Sequence, residues 1–261
     1  MEFIGTGCFA MCESLTEVII PDTVLRIGNQ AFNSCPNLTK VQFSNSLQFI
    51  GSYAFTNCAN LQEIDLQVDS SICTIGKEVF ARCPKLNTVR FGDFFTTIAE
   101  NMFESCGFTT LELPDAISTI HSLAFRYCTS LTKFTTAASY IGYGALLGCT
   151  SLEKVILTNE YLNLETDNPG YSIFDQCSVL NTAGPIGSGK DIEFAWREKI
   201  PDYAFMRNRY SYSNSNNSLS EVVLPNTLTS IGIQAFKNSV FTTIELPVSL
   251  TAIGEAAFEG C

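Results

Sequence analysis

The chain has 261 residues, 46% of them hydrophobic and 16% charged, and its formal net charge is −11. An excess of carboxylates this large repels a phosphate backbone, which argues against nucleic acid as a partner. There is no run of 18 apolar residues, so no segment reads as a membrane-spanning helix.

Taken in order, the chain shows one pattern many times over. Its clearest copy runs from Ile27 to Phe43, I-G-N-Q-A-F-N-S-C-P-N-L-T-K-V-Q-F. The aromatic of the A-F pair recurs at Phe9, Phe32, Phe55, Phe80, Phe103, Phe125, Phe174, Phe205, Phe236 and Phe258, with Leu146 in the same slot. A cysteine stands three residues later at Cys12, Cys35, Cys58, Cys83, Cys106, Cys128, Cys149, Cys177 and Cys261; only Asn208 and Ser239 interrupt the series. Over the first seven units the period is 21 to 25 residues, the mark of a solenoid whose units are stable because neighbours cover them. Met1 leads directly into Ile4-Gly5 and Cys261 closes in mid-motif, so both ends read as cut from a longer chain.

The first unit shows how one coil is built. Val18 and Ile20 are apolar at strand period, and Pro21 stops the strand. Val24 and Ile27 mark the return, Gly28 permits a tight bend, and Ala31-Phe32 bring the chain back inside. The expected architecture is an α/β repeat solenoid, a right-handed coil with one long parallel sheet and short turns of helix or 3-10 on the other side. Strands are expected near residues 15–20, 38–43, 61–66, 86–91, 131–135, 152–157, 219–224 and 241–246. About eleven such coils, stacked about 4.8 Å apart, fill the chain.

Two coils are short. Phe103 to Phe108 and Phe236 to Phe241 each lose one residue between the cysteine slot and the strand. Later the spacing widens, to 28 residues from Leu146 to Phe174 and 31 from Phe174 to Phe205 and from Phe205 to Phe236. The extra residues lie within 158–199 and 209–218. Insertions in a solenoid map to loops, often on the binding face. Here they gather Tyr161, Tyr171, Trp196, Arg197, Tyr210 and Tyr212, the residue types of recognition surfaces. Trp196 has two readings, a ligand contact or a cover for irregular coils. The outward strand positions, Glu17, Lys40, Glu63, Asp65, Arg90, Lys133 and Lys154 among them, vary in charge from coil to coil and form a second candidate surface.

Three features resemble chemistry. Gly184 to Lys190, G-P-I-G-S-G-K, fits the first places of a phosphate-binding loop, but Asp191 stands where the magnesium ligand belongs. The next six residues, Ile192 to Arg197 (I-E-F-A-W-R), alternate like a strand, so the segment is read as a turn. The cysteines invite disulfides, yet equivalent residues in a ladder point the same way, which opposes a torsion near 90°. They are expected as a buried structural ladder of free thiols from Cys12 through Cys177, behaving as small hydrophobes. His121 replaces the glycine of an I-G pair and reads as an exposed turn residue. No catalytic residue, metal or cofactor is expected.

The pattern L-x-x-V-x-L-P-x-x-L-x-x-I-G-x-x-A-F-x-x-C, best preserved over Leu15–Phe80 and Leu219–Phe258, resembles the BspA-type leucine-rich repeat family. The resemblance covers essentially all of residues 1–261 as a single leucine-rich-repeat domain. It implies a cell-surface or secreted adhesion and recognition module that binds a host or microbial surface protein or glycan, without catalysis or membrane insertion. A purely structural spacer presenting another domain is the alternative.

Overall fold

The structure is a computed structural model that describes residues 2–67, 73–93, 95–164, 172–206 and 219–261. Short strands of two kinds alternate along it. The first are β1 (Phe3–Ile4), β2 (Glu17–Ile19), β3 (Arg26–Ile27), β4 (Lys40–Gln42), β5 (Phe49–Ile50), β6 (Glu63–Leu66) and β7 (Thr74–Ile75). Then come β8 (Thr88–Phe91), β9 (Thr97–Ile98), β10 (Thr110–Glu112), β11 (Thr119–Ile120), β12 (Lys133–Thr136), β13 (Tyr140–Ile141), β14 (Lys154–Leu157) and β15 (Asn163–Leu164). The rest are β16 (Thr182–Pro185), β17 (Ile192–Phe194), β18 (Lys199–Ile200), β19 (Glu221–Val222), β20 (Ser230–Ile231) and β21 (Ala252–Ile253).

The solenoid therefore has two ladders, where the sequence pattern leads one to expect a single long sheet. On the strand face, β2-β4-β6-β8 form one sheet and β10-β12-β14-β17-β16-β19 another. On the return face, the I-G segments pair as β1-β3-β5-β7, β15-β13-β11-β9 and β18-β20-β21. The registers are parallel, with Val18 beside Val41 and Ile27 beside Ile50. The strand face breaks between β8 and β10, and residues 241–246 form no strand. These are the two places where a coil is one residue short, and a one-residue deficit shifts a strand out of register with its neighbour.

No helix occurs among the described residues, because the A-F-x-x-C segment alternates its handedness. Gln30 and Ser34 sit in the left-handed region at φ 56° and 58°, and the same two slots recur, for example at Tyr53 and Asn57. Each slot ends a tight turn, closed by the Ala31 amide on the Gly28 carbonyl at 3.3 Å and the Asn33 amide on Gln30 at 3.1 Å. The reversal aims alternate amides at the next coil: Gln30, Phe32 and Ser34 donate to the carbonyls of Ser52, Ala54 and Thr56 at 2.9, 2.8 and 2.8 Å. A helix would keep those donors for itself. A left-handed non-glycine residue costs about 1–2 kcal/mol, offset here by hydrogen bonds along the stack.

Inside, the phenylalanines stack. Phe9, Phe32, Phe55, Phe80, Phe103 and Phe125 have successive ring centroids 5.1, 5.0, 5.6, 5.9 and 5.7 Å apart. All 11 cysteines are free. From Cys35 to Cys177 the thiols of the slot are buried, and each donates to the phenylalanine-slot carbonyl of the preceding coil. Cys35 reaches Phe9 at 3.1 Å, Cys58 reaches Phe32 at 3.3 Å and Cys177 reaches Leu146 at 3.1 Å. Cys12 departs from the expected buried ladder: it is half-buried, in the first of the described coils. At the other end Ala257 is buried while Phe258 is half-buried.

Burial pushes the Cys35 thiol up to about 11 and the Cys128 thiol up to about 12. Their folded-state values lie above the ordinary 9.0, so the protonated form is favoured by folding. That stabilisation is complete below pH 9 and is lost as pH rises through 11 to 12. Denaturation midpoints measured from pH 8 to 11 should fall accordingly. In the native protein a thiol reagent should react quickly with exposed Cys8 and Cys261. After denaturation without reductant it should find all 11. Cys58→Ala removes the donor to Phe32 and should destabilise by about 1–3 kcal/mol, read from chemical denaturation.

Candidate functional site

The widened coils change the order of the sheet. After β16 the chain turns back, and β17 enters between β14 and β16 instead of adding beyond them. Ile192, Phe194 and Trp196 then point inward at strand period, and Trp196 stacks on Phe194 at 4.9 Å. Trp196 is 1% exposed, so its ring covers the irregular coils and belongs to the core.

The turn Ile186 to Lys190 folds over the outer side of β17. Its amides are already occupied: Gly189 donates to Glu193 Oε1 at 2.9 Å and Gly187 to Oε2 at 3.3 Å. Lys154 Nζ adds an ion pair to Glu193 Oε1 at 2.9 Å. The phosphate-loop-like segment thus cradles a carboxylate of its own chain. Asp191, in the magnesium-ligand place, accepts the amides of Asn181 and Thr182 at 2.9 and 3.0 Å and fixes the turn.

On the return face the insertion has the opposite effect. Among the described residues β15 pairs with β13 and β18 pairs with β20, but β15 and β18 do not pair with each other. A hollow of about 420 Å³ lies between them, lined by Tyr161, Leu162 and Leu164 on one side and Arg197, Lys199 and Asp202 on the other. Trp196 lines it too, as it does a second hollow of about 710 Å³ that shares Glu160, Tyr161 and Arg197. Glu160 connects the walls, with Oε2 3.9 Å from Arg197 Nε. Tyr161 is 82% exposed, and the neighbouring Glu160 carboxylate, hydrogen-bonded to its hydroxyl, holds the phenol above its ordinary range. The indole N–H of Trp196 is buried without an acceptor.

Of the sequence-read candidates, Tyr161, Trp196 and Arg197 come together here, from segments more than thirty residues apart. Tyr171, Tyr210 and Tyr212 lie outside the described residues. The residues that sequence pattern alone did not single out are Glu160, Leu162, Leu164 and Lys199, whose placement depends on the unpaired strands. The charged strand positions largely answer one another. Lys40 stands beside Glu17 and Glu63 in register, 3.6 Å from Glu17, and Arg90 is 3.6 Å from Asp65. Cross-strand pairing of opposite charges accounts for much of the variation on that face.

Lys154 first, then burial against it and the Gly187 and Gly189 amides, set the Glu193 balance, which holds its carboxyl below the usual range. A depressed value contributes stability above the unfolded carboxylate range, lost as pH falls through the folded one. Glu193→Gln should therefore lower Tm at pH 7 more than Glu221→Gln, and the difference should shrink on acidification.

A family profile described as BspA type Leucine rich repeat region matches in 6 copies, over residues 2–71, 65–181 and 198–261. No curated protein matches the chain. Among solved structures, a leucine-rich repeat protein from Bacteroides ovatus is 24% identical over 99% of this chain and 80% of its own, with TM-score 0.48. The Leucine Rich Repeat protein of T. pallidum is 26% identical over 59% of this chain and 61% of its own, with TM-score 0.41. A leucine rich cell surface protein from Faecalibacterium prausnitzii is 19% identical over 98% of this chain and 83% of its own, with TM-score 0.44.

Proposed function

The chain belongs to the BspA type leucine-rich repeat family, and from that premise we propose that it is a non-catalytic recognition module that binds a surface protein or glycan outside the cell. One observation carries this reading: two stretches of the 158–199 insertion, on either side of β16, deliver Tyr161 and Arg197 to the same hollow. An exposed tyrosine supplies contact area at low entropy cost, and a guanidinium supplies directional donors. A bare spacer has no use for either at a break in its own ladder. Tyr171, and Tyr210 and Tyr212 of the 209–218 insertion, remain candidate ligand contacts on their residue type alone.

The test is capture of partners from host or microbial surface extracts, and a glycan array, with wild type and Tyr161→Ala/Arg197→Ala. Both side chains are largely exposed, so Tm should stay within a few degrees of wild type. Affinity for a captured partner should fall at least about tenfold. Unchanged affinity in this double variant would move the site to the charged strand face.

A further inference from the structure

Among the described residues the insertion leaves a gap in the return ladder. On the strand face β14 and β16 stand two ladder steps apart because β17 fills the step between them. On the return face the same two coils present β15 and β18, and nothing among the described residues fills the corresponding step. Two steps of about 4.8 Å would leave room for one strand between these edges, although the A-F turns that follow them hold Phe174 and Phe205 6.4 Å apart.

The facing edges carry the groups that a strand would use. In paired returns the carbonyls two residues apart accept from the next coil, Ser118 from Tyr140 at 3.1 Å and Ile120 from Gly142 at 2.8 Å; at the β7–β9 break, Cys73 and Ile75 accept nothing among the described residues. The equivalent carbonyls of Leu162 and Leu164 accept nothing among the described residues. Across the slot, Glu198 and Ile200 direct their carbonyls to Ser230 of β20 and to Gly232 just after it, so Lys199, between them, turns its amide to the gap. The next donor place falls on Pro201, which has no N–H to leave unpaired. The inward column Ile98, Ile120, Ile141, Leu164, Ile200, Ile231 is continuous except at this step. Trp196, with its indole N–H unpartnered, lines the same place.

We propose that this slot takes an extended segment of a partner polypeptide as an added parallel strand, with one aliphatic side chain entering between Leu164 and Ile200. Main-chain hydrogen bonds would supply affinity, and the single apolar position, flanked by Tyr161 and Arg197, would supply selectivity. This rests on the recognition reading of the same hollow, and narrows its ligand from protein or glycan to an extended peptide.

The chain's own return motif provides the probe, a capped peptide copying residues 226–233, Asn-Thr-Leu-Thr-Ser-Ile-Gly-Ile. The protein has one tryptophan, so intrinsic emission reports on the slot directly, with calorimetry as the second readout. Titration should shift Trp196 emission saturably. In the probe's source segment, the amides of Ser230 and Gly232 make the bonds to the preceding coil. N-methylating the matching two amides of the peptide should therefore weaken binding by at least about tenfold. Changing its inward isoleucine to aspartate should abolish binding. Equal binding of the methylated peptide, or no emission change and no heat, overturns the proposal. If the peptide fails while Tyr161→Ala/Arg197→Ala still weakens a captured partner or glycan, recognition stands and the strand slot falls. Self-association that competes with the peptide would make a second copy the occupant and overturn the partner assignment.

Discussion

Every coil must present its backbone donors to the next coil at one strand's spacing, and the rest of the molecule depends on that constraint. The hydrogen bonds cross between coils on the strand face, on the return face and along the A-F-x-x-C edge. The last is the least familiar, because it needs two left-handed residues per coil to aim its amides along the stack. With all three edges tied, the side chains inherit the same spacing. Phenylalanine suits it, since rings about 5 Å apart pack face to face with a small offset. Cysteine suits the slot behind it because it is small and apolar yet carries a weak donor. That donor meets the phenylalanine carbonyl of the coil before it, which the amide ladder leaves open.

The same constraint decides what an insertion can do. A loop that leaves the stack and returns costs the ladder nothing. An insertion that re-enters as a strand must be accommodated by every edge at once, and here only the strand face accommodates it. β17 is hydrogen-bonded on both sides, Glu193 on its outer side is held by Lys154 and two glycine amides, and Trp196 extends the core beneath it. The edge of the A-F turns is stretched as well, with Phe174 and Phe205 centred 6.4 Å apart against about 5 to 6 Å elsewhere. The return face absorbs the remainder as an opening.

Much of this was legible in the sequence, for reasons that particular residues make plain. Period and slot identity gave the solenoid, because phenylalanine and cysteine repeat where stacking requires identical neighbours. The alternation of Ile192, Phe194 and Trp196 signalled a strand, and the same alternation carried the signal that Trp196 faces the core. The single-residue deficits before Phe108 and Phe241 mark where the strand ladder fails, but a strand is still expected near 241–246, because the apolar alternation there is intact while the register is not. Handedness was not legible: Phe and Cys three apart fit one face of a helical turn, and nothing in Gln30 or Ser34 announces a left-handed residue. Nor was the second ladder, since two-residue strands such as Arg26–Ile27 carry no alternation to read. The backward placement of β17 depends on which neighbour pairs with it, a long-range choice that local pattern does not encode.

The location of the candidate site is thus a consequence of counting ladder steps. The regular coils keep the two faces in step: where one coil is a residue short, both ladders are interrupted at the same level, between β8 and β10 and between β7 and β9. Integrating one extra strand on one face puts the faces out of step by one, and the deficit must appear on the other face at the same level. There it leaves carbonyls at Leu162 and Leu164 opposite the Lys199 amide, groups that in most of the return ladder are consumed by a neighbouring coil. A proline at position 201 limits how many donors are stranded, and a tryptophan beneath keeps the core closed while the edge stays open. Regularity makes the solenoid stable, and where it is broken by a whole strand, backbone capacity remains to be used.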